Sequence, residues 1–471
     1  MILYQDQINA YFDRPELTQR LVEAITRLAS IDSVKGEPAP GQPFGPGPAA
    51  ALAEALDLCG DLGLQARNYD GYVGVADLNQ KKTALHILGH LDVVGPGSGW
   101  TVTQPFQPKV VDGMLYGRGV ADDKGPVVAA LFAMEAVRVL EIPLSANVRA
   151  ILGTDEESGS ADLAYYYARE PYAPCSFSPD ASFPLIHIEK GQYHPDFGAS
   201  WAAEDRPVLT LRGGFRTNVV PPEAEACLSG LTLEALTPVC RRLEAETGVR
   251  FTLSQASGGV QIHCAGKNAH ASTPEEGCNA LTALLAVLSV LPLPDCPAVR
   301  AVRGMHALFP HGDLEGAALG IAQSDPESGA LTVNLALMEL NESGFRAKID
   351  VRFPLCANEE NCKQAAQAAF ARYGFAVTGD PEMIPAHHVP ADSPLVQTLL
   401  NCYTAYTGAQ DAAPIALGGC TYVHNIPGGV AFGPLMPGFD CKMHGADERI
   451  PLEDLRTACK IFTQAIVDLC T

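Results

Sequence analysis

The feature that most constrains the fold is the alternation of apolar strand-like segments with helical segments early in the chain. Strand-like segments occur at 72–76, 84–88 and 148–152, and hydrophobic periodicity predicts a helix over 127–140. Strands that alternate with helices are typical of an α/β layer with a largely parallel sheet. The sequence therefore predicts the α/β fold class for this region.

The middle of the chain follows a different pattern. Alternating segments such as 208–211 and 348–352 predict antiparallel strands with helices between them, and the α/β pattern returns toward the C-terminus. We therefore predict one domain formed by residues 1–192 and 383–471, with an inserted α+β domain over 193–382. The helices predicted from periodicity are 17–30, 49–60, 127–140, 279–291, 362–373, 394–407 and 452–469.

Charge and cysteine content limit the classes of partner and compartment. The chain has 32 Lys and Arg against 54 Asp and Glu, a formal net charge of −22, so phosphate backbones and anionic lipids would repel it. Fourteen scattered cysteines without a C-x-x-C pair indicate reduced thiols. The start of the sequence has no signal-peptide pattern, and its most apolar segment, 280–291, is too short to span a bilayer. We expect a cytoplasmic protein without nucleic-acid or membrane partners.

The first polar motif follows the strand-like segment 84–88. The motif G-H-L-D places His90 and Asp92 at the carboxyl end of this strand, where open α/β sheets bind ligands. A carboxylate at this spacing can orient a metal-binding imidazole by bonding its other ring nitrogen. A loop histidine beside a solvated aspartate explains the motif equally well, so both interpretations stay open for this motif alone.

The second motif, G-R-G-V-A-D-D-K-G-P, covers residues 117–126 and leads into a predicted helix. Its adjacent acids are Asp122 and Asp123, and such a carboxylate can bridge two cations through its two oxygens. The glycines also suggest a phosphate-binding loop. The motif has neither G-x-G-x-x-G nor G-K-[ST], however, and two acids would repel a phosphate.

The third motif, T-D-E-E-S-G, covers residues 154–159 and directly follows the strand-like segment 148–152. Three adjacent acids repel one another unless cations or protons compensate them, although an exposed acidic turn is the alternative. Two further polar residues stand in predicted loops: Asp180 in S-P-D-A and His444 in M-H-G-A-D-E. Two histidines and four or five carboxylates make a ligand set suited to zinc, manganese or cobalt. Two cations sharing one carboxylate would activate a water for hydrolysis.

The ordered motifs resemble those of the co-catalytic di-metal metallopeptidases that include dipeptidase V, carnosinase, aminoacylase, succinyl-diaminopimelate desuccinylase and glutamate carboxypeptidases. The resemblance covers nearly the whole chain and is closest to dipeptidase V-like bacterial dipeptidases. It implies a zinc-peptidase-like catalytic domain with an inserted lid domain. The motifs that carry it are G-H-L-D-V-V-G-P, G-R-G-V-A-D-D-K-G-P, D-E-E-S-G, F-S-P-D-A-S-F-P, E-K-G, G-K-N-A-H-A-S-T-P-E-E-G-C-N-A and A-F-G-P-L-M-P-G.

The resemblance implies a role for each matching residue of the catalytic domain. Two divalent metal ions, zinc in the first place with manganese or cobalt as alternatives, would share Asp122 as a bridge. Glu156 would act as general base, and Asp92 would orient His90. The implied metal ligands are His90, Asp122 and Asp180 for one ion and Asp122, Glu157 and His444 for the other.

The resemblance also implies roles for residues of the predicted lid. His270 matches the residue that polarises the scissile carbonyl and stabilises the oxyanion. Asn218 and Arg352 match lid residues that reach the substrate in dipeptidase V, and His424 stands where relatives carry an arginine near the substrate carboxylate. Without the resemblance, His270 and Arg352 would be read as ordinary surface residues.

Two features favour a dipeptidase that acts as a monomer on a dipeptide or short peptide with a free amino terminus. Relatives acting on such substrates carry an aspartate at the position of Asp180, and the long inserted segment matches the enlarged lid that replaces a dimer partner in dipeptidase V. The alternatives are an N-acyl-amino-acid amidohydrolase and a catalytically silent binding protein. Departures from the usual motifs, which bear on substrate choice, are Ser182, His187, Ile188, Cys420 and His424.

Overall fold

The structure, a computed structural model, describes residues 3–203, 208–256, 258–379 and 381–471. Within these ranges the α-helices are α1 Gln5–Phe12, α2 Pro15–Ala29, α3 Pro46–Asp61, α4 Lys124–Val139, α5 Ala161–Tyr167, α6 Leu233–Thr247, α7 Ala280–Val290, α8 Pro297–Leu308, α9 Ala365–Arg372, α10 Pro394–Thr407 and α11 Leu452–Cys470. Short 3₁₀ or π-helical turns cover Glu156–Ser158, Pro274–Glu276, Glu359–Gln364 and Tyr422–Asn425.

The strands are short in most of the chain and long in its middle. In the described residues they are β1 Gln65–Tyr69, β2 Val73–Asp77, β3 Thr83–His90, β4 Lys109–Val111, β5 Met114–Tyr116, β6 Asn147–Gly153, β7 Cys175–Ser178, β8 Ala181–Ser182, β9 Ile186–Glu189, β10 Gly191–Tyr193, β11 Asp196–Ser200, β12 Leu209–Gly213, β13 Glu223–Leu228, β14 Arg250–Ala256, β15 Gly259–Ala265, β16 Ser324–Asp325, β17 Gly329–Ala330, β18 Thr332–Asn341, β19 Gly344–Phe353, β20 Ala376–Val377, β21 His387–His388, β22 Ile415–Leu417, β23 Val430–Ala431, β24 Pro434–Leu435 and β25 Arg449–Pro451.

The chain divides into two compact units. The first unit contains Met1–Ile188, His387–Ile415 and Cys420–Thr471, and the second contains Glu189–Ala386 and Ala416–Gly419. The assignment of catalytic and lid roles to these units stays a prediction.

The first unit is built on a mixed sheet with strand order β1-β2-β6-β3-β7-β23-β9-β21. Its centre is parallel, because β3 pairs in parallel with both β6 and β7, and β23 pairs in parallel with β7. Towards one edge the pairing of β2 with β1 and β6 is antiparallel. This mixed sheet with a parallel centre confirms the predicted fold class.

Helix α4 forms the centre of the first unit's core. Most of its residues are apolar and buried, and it packs against α2, α11 and β3. Helix α11 likewise buries a long apolar stripe that includes Leu455, Phe462 and Ile466. Burial of this apolar surface is the dominant favourable term in folding. Helix α4 begins at Lys124, so its N-terminal end directly follows Asp122 and Asp123.

The second unit is an antiparallel sheet with strand order β14-β15-β13-β12-β18-β19-β11-β20. Residues of β13 and β15 alternate between buried and partly exposed positions, as expected for a sheet with one face on the core. Helix α7 packs against β12, β13, β15 and β18. Phe197 and Phe370 stack in the core with their ring centroids 4.1 Å apart.

Most predicted helices are present with shifted ends, and α10 has the predicted bounds. The helix predicted over 362–373 instead begins as a π-helical turn at Glu359–Gln364 and continues as α9. Helices α1, α5, α6 and α8 lie outside the predicted set, and Pro238 and Gly304 interrupt the periodicity of α6 and α8. In the described ranges, no helix has the length and apolar character that crossing a membrane requires.

Candidate metal centre and active site

The parallel pairing of β3 with β6 brings the first and third sequence motifs together. His90 is the last residue of β3 and lies opposite Gly153, the last residue of β6. The segment that carries Glu156 and Glu157 therefore starts beside His90. A Cβ atom on Gly153 would overlap the hydroxyl of Tyr422, so this close approach requires glycine.

The structure brings His90, Asp122 and Asp180 together in one group of potential metal ligands. The Nε2 atom of His90 lies 3.0 Å from Oδ1 of Asp122 and 3.6 Å from Oδ2 of Asp180. Asp180 stands two residues after β7, which pairs in parallel with β3, so it reaches the same edge of the sheet.

A second group contains Asp122, Glu157 and His444. The Nε2 atom of His444 lies 2.9 Å from Oδ2 of Asp122 and 3.3 Å from Oε1 of Glu157. Asp122 therefore presents one carboxylate oxygen to each group. The ligand atoms within each group all lie within 4.8 Å of one another.

Asp92 contacts both His90 and the acidic segment. Its main-chain carbonyl lies 2.9 Å from Nδ1 of His90, whereas its carboxylate is 3.5 Å away. The two carboxylate oxygens instead accept hydrogen bonds from the backbone N–H groups of Glu156 and Glu157, each at 3.1 Å. The hydrogen-bond acceptor for His90 is therefore the backbone carbonyl of Asp92, and the carboxylate of Asp92 instead positions the neighbouring loop.

The electrostatics of this cluster follow from burial and mutual attraction. Partial desolvation opposes the charge on His444, but hydrogen bonds with Asp122 and Glu157 outweigh it and raise the pKa of His444 to about 11. Burial also opposes ionisation of Asp122, yet hydrogen bonds to the two imidazoles hold its pKa below the usual range. Burial raises the pKa of Glu156 well above its usual range.

The donor set fits a pair of divalent cations. Each group offers one imidazole nitrogen and two carboxylate oxygens, which are ligands preferred by zinc, manganese and cobalt. A buried cluster of carboxylates also needs compensating positive charge. Bound divalent cations would supply that charge, and their binding would compete with protons for the imidazole and carboxylate groups.

Two further buried acids support the ligand loops, and sequence reasoning gave neither a role. Asp123 accepts a hydrogen bond from the backbone N–H of His90 at 3.0 Å. Asp162 accepts hydrogen bonds from the N–H groups of Thr154 and Asp155, at 2.6 and 3.0 Å, and from the Tyr422 hydroxyl. The adjacent acids of the second motif pointed to Asp123, whereas nothing in the local sequence marks Asp162.

Three residues that depart from the usual motifs, His187, Cys420 and His424, make specific polar contacts in the first unit. His187 is buried, and its Nδ1 atom lies 2.8 Å from the carbonyl oxygen of Val389. The Nδ1 atom of His424 lies 3.3 Å from the sulfur of Cys420. A contact of His424 with substrate stays a prediction.

The second unit holds the predicted lid residues. His270 and Asn218 lie on adjacent backbone segments, because Val219 forms a β-bridge with His270 and the N–H of Ala271 donates to the carbonyl of Asn218 at 2.9 Å. Arg352 forms a bidentate ion pair with Asp350 at 2.6 and 2.9 Å, and it also donates to the carbonyl of Gly418 at 3.1 Å.

Comparison with known proteins gives consistent findings. Residues 86–468 match the family described as Peptidase family M20/M25/M40. The chain is 34% identical over 461 residues to "Putative dipeptidase YtjP" of Bacillus subtilis (strain 168), covering 95% of this chain and 97% of the relative. It is 30% identical over 466 residues to "Putative dipeptidase SH1171" of Staphylococcus haemolyticus, covering 97% and 98%.

Solved structures show the same fold at low sequence identity. Human carnosine dipeptidase 1 has a TM-score of 0.58 at 17% identity, with 99% of this chain and 98% of that chain covered. Aminoacylhistidine dipeptidase from Vibrio alginolyticus has a TM-score of 0.57 at 12% identity, with 96% of each chain covered. These findings confirm the resemblance seen in the motifs: the chain belongs to peptidase family M20/M25/M40.

Proposed function

We propose that this protein is a metal-dependent dipeptidase that hydrolyses the amide bond of dipeptides or short peptides with a free amino terminus. The observation that carries the proposal is the position of Asp122, whose two oxygens each face a separate group of potential ligands. Family membership and the names of the relatives support peptide hydrolysis. Asp180 supports the preference for a free amino terminus through the resemblance.

The residues that would hold the two cations are those of the two ligand groups. His90, Asp122 and Asp180 would hold one ion, and Asp122, Glu157 and His444 the other. When bound there, two divalent cations supply Lewis acidity toward the scissile carbonyl and lower the pKa of the attacking water. We infer zinc as the native metal, with manganese and cobalt as the alternatives.

Glu156 belongs to neither ligand group and is the proposed general base. It removes a proton from the attacking water and returns it to the leaving amine, which the reaction needs because an amine anion is a poor leaving group. The carboxylate of Asp92 accepts the N–H groups of both Glu156 and Glu157. Asp92 thus positions the base and a proposed ligand through one side chain.

His270 is the proposed donor to the oxyanion of the tetrahedral intermediate. Its Nδ1 atom accepts the backbone N–H of Ser272 at 3.2 Å. A backbone N–H can only donate, and the Ser272 hydroxyl, 2.6 Å from the same nitrogen, can donate as well, so these contacts favour the neutral tautomer with its proton on Nε2. That nitrogen is therefore a donor, as stabilisation of an oxyanion requires.

Arg352 and Asn218 are the proposed contacts to the substrate in the second unit, and His424 is a further proposed contact in the first. The bidentate pair with Asp350 fixes the orientation of the Arg352 guanidinium. We assign the catalytic role to the first unit and the lid role to the second. A monomeric, cytoplasmic protein is the accompanying expectation.

Dipeptide turnover after metal reconstitution tests the proposal. The protein is stripped of metal, reloaded with zinc, manganese or cobalt, and assayed on a panel of unmodified dipeptides and their N-acetylated counterparts. We expect metal-dependent hydrolysis of the unmodified dipeptides. Preference for the acetylated compounds would identify an amidohydrolase, and absence of turnover with every metal would identify a binding protein.

A further inference from the structure

We propose that the buried ion pair of Arg118 and Glu448 is a positioning device that holds Asp122 and His444 at the spacing required for the second metal ion. The inference deepens the proposed function and rests on it. It concerns residues that bind neither ion themselves. They act through the two loops that carry the ligands.

The need for such a device follows from the position of His444. Its side chain is 42% exposed, and its backbone has the left-handed φ of 60° within a loop. Packing of the side chain therefore contributes little to its orientation. Its proposed co-ligand Asp122 is more than three hundred residues away in sequence and also lies in a loop. Their 2.9 Å contact depends on how the two loops are joined.

Glu448 joins the loops from the His444 side. Its Oε1 atom accepts the backbone N–H of Ala121 at 2.9 Å and that of Asp122 at 3.3 Å. Its backbone carbonyl also accepts the N–H of Gly117 at 3.0 Å. A side chain four residues after His444 thus fixes the backbone that bears the shared ligand.

Arg118 joins the same loops from the Asp122 side. The Nη1 atom of Arg118 donates to Oε2 of Glu448 at 2.6 Å, and its Nη2 atom donates to the carbonyl of Gly445 at 3.2 Å. Gly445 follows His444 directly. The guanidinium also lies 5.6 Å from the centroid of the Trp100 ring, a cation–π arrangement.

The neighbouring Asp447 restrains the His444 loop from another direction. Its carboxylate accepts the N–H groups of Thr101 and Val102 at 2.8 and 3.0 Å. Consecutive residues 447 and 448 therefore anchor the loop to two separate segments. Of these two anchors, Glu448 is the one that reaches Asp122, so its pair with Arg118 sets the distance between the two ligands.

The pair is inaccessible to solvent, with side-chain exposures of 1% for Arg118 and 0% for Glu448. Removing one partner of a buried pair leaves an uncompensated charge, and the surrounding backbone must move or admit water. Such movement here would displace Asp122 relative to His444. A misplaced ligand weakens metal binding even when the fold persists, because ligands must meet the ion within a few tenths of an ångström.

Metal titration of the whole chain tests the proposal. Metal-free wild type, R118M, R118K and E448Q are titrated with Co²⁺ alone, and binding of each ion is followed by calorimetry and by the visible absorption of the bound metal. R149M is the matched control, because Arg149 forms a bidentate pair with Asp77 in the same unit, at 2.8 Å for both contacts, near the opposite end of β6. Circular dichroism verifies the fold of each variant.

We expect one of the two binding events to lose at least tenfold affinity in R118M and E448Q, with R118K intermediate. R149M should lower the unfolding midpoint and bind both ions as wild type does. Two outcomes would overturn the proposal: wild-type affinities in folded R118M and E448Q, or equal weakening in R149M. If R118M fails to fold, E448Q and R118K decide the question. A wild type that binds fewer than two ions would refute the proposed function itself.

Discussion

The adjacent glutamates Glu156 and Glu157 have different surroundings, which match the different roles that we propose for them. Glu157 faces His444 within a ligand group, at 3.3 Å, while Glu156 stands outside both groups although the same Asp92 side chain fixes its backbone. The proposed metal ligand and the proposed general base therefore differ only in where the loop directs their side chains.

Glu156→Gln should lower kcat by about 10²- to 10⁴-fold, the usual contribution of a general base. The metal content should stay at two ions per chain, because Glu156 is not in a ligand group. Steady-state kinetics and elemental analysis of the same sample measure both quantities. Glu157→Gln is the contrasting variant and should lose one ion. Loss of one ion in the Glu156 variant, with both ions retained in the Glu157 variant, would show that the roles are reversed.

His86 provides a test of acid stability away from the ligand groups. It is buried on β3 with Nδ1 3.1 Å from the Tyr167 hydroxyl, and burial lowers its pKa to about 4. Because the unfolded chain binds this proton more readily, His86 lowers stability as pH falls through the unfolded pKa near 6.5 toward 4.

Replacing His86 with Asn should therefore flatten the pH dependence of unfolding. Between pH 7 and pH 5 the free energy of unfolding should fall by about 2 kcal/mol less in the variant than in wild type. Urea unfolding of the metal-free proteins at both pH values measures this difference. Parallel losses in the two proteins would contradict the assignment.

At the scale of elements, the N-terminus of α7 supports the segment that carries Asn218. The side chain of Asn279 caps α7 by accepting the N–H groups of Leu281 and Thr282 at 3.0 and 3.1 Å. It also donates to the side-chain oxygen of Asn334 at 2.9 Å, and Asn334 in turn donates to the carbonyl of Val219 at 3.0 Å. The helix cap thus reaches the backbone next to Asn218 and His270.

Asn279→Ala should destabilise the second unit by about 2 to 4 kcal/mol, from a lost cap and an unsatisfied buried oxygen on Asn334. It should also lower kcat/KM. Thr232→Ala is the matched control, because Thr232 caps α6 through a single bond at 3.4 Å. That variant should cost about 1 kcal/mol and leave kcat/KM unchanged. Equal kinetic effects in both variants would refute the connection to Asn218.

At the scale of the whole molecule, each unit has its own hydrophobic core. The core of the first unit includes Phe132 and Phe462, and that of the second includes Phe197 and Phe370. The proposed metal ligands belong to the first unit alone. Ligand binding stabilises only the structure that contains the site.

Calorimetry should therefore resolve two unfolding transitions. Zinc at about 100 times its Kd should stabilise the first unit by about 2.7 kcal/mol for each bound ion and leave the other transition in place. Phe370→Ala should shift only the second transition, by about 3 to 5 kcal/mol. A single transition that responds to both changes would show that the units unfold together.

The elements that carry the proposed site could be predicted because their signals are local. Apolar runs that end in polar clusters indicated β3 and β6, and they placed His90 at the end of the first strand and Glu156 and Glu157 after the second. In the second unit, helices α6 and α8 escaped prediction because a proline and a glycine interrupt them. Hydrophobic periodicity is read within one segment at a time. A helix whose periodicity is interrupted by proline or glycine is therefore missed, even though tertiary packing stabilises it.

The sequence by itself determined the fold class, the family and the residue types suited to a two-cation site, because apolar periodicity and ordered motifs are properties of the chain alone. Only the tertiary structure decided that the backbone of Asp92 bonds His90 while its side chain supports Glu156 and Glu157. The ion pair between Arg118 and Glu448 is likewise seen only in the tertiary structure. Such contacts link segments that are far apart in sequence. Their geometry is set only when the sheet and helices pack, because packing buries polar groups and each buried polar group then needs a hydrogen-bond partner.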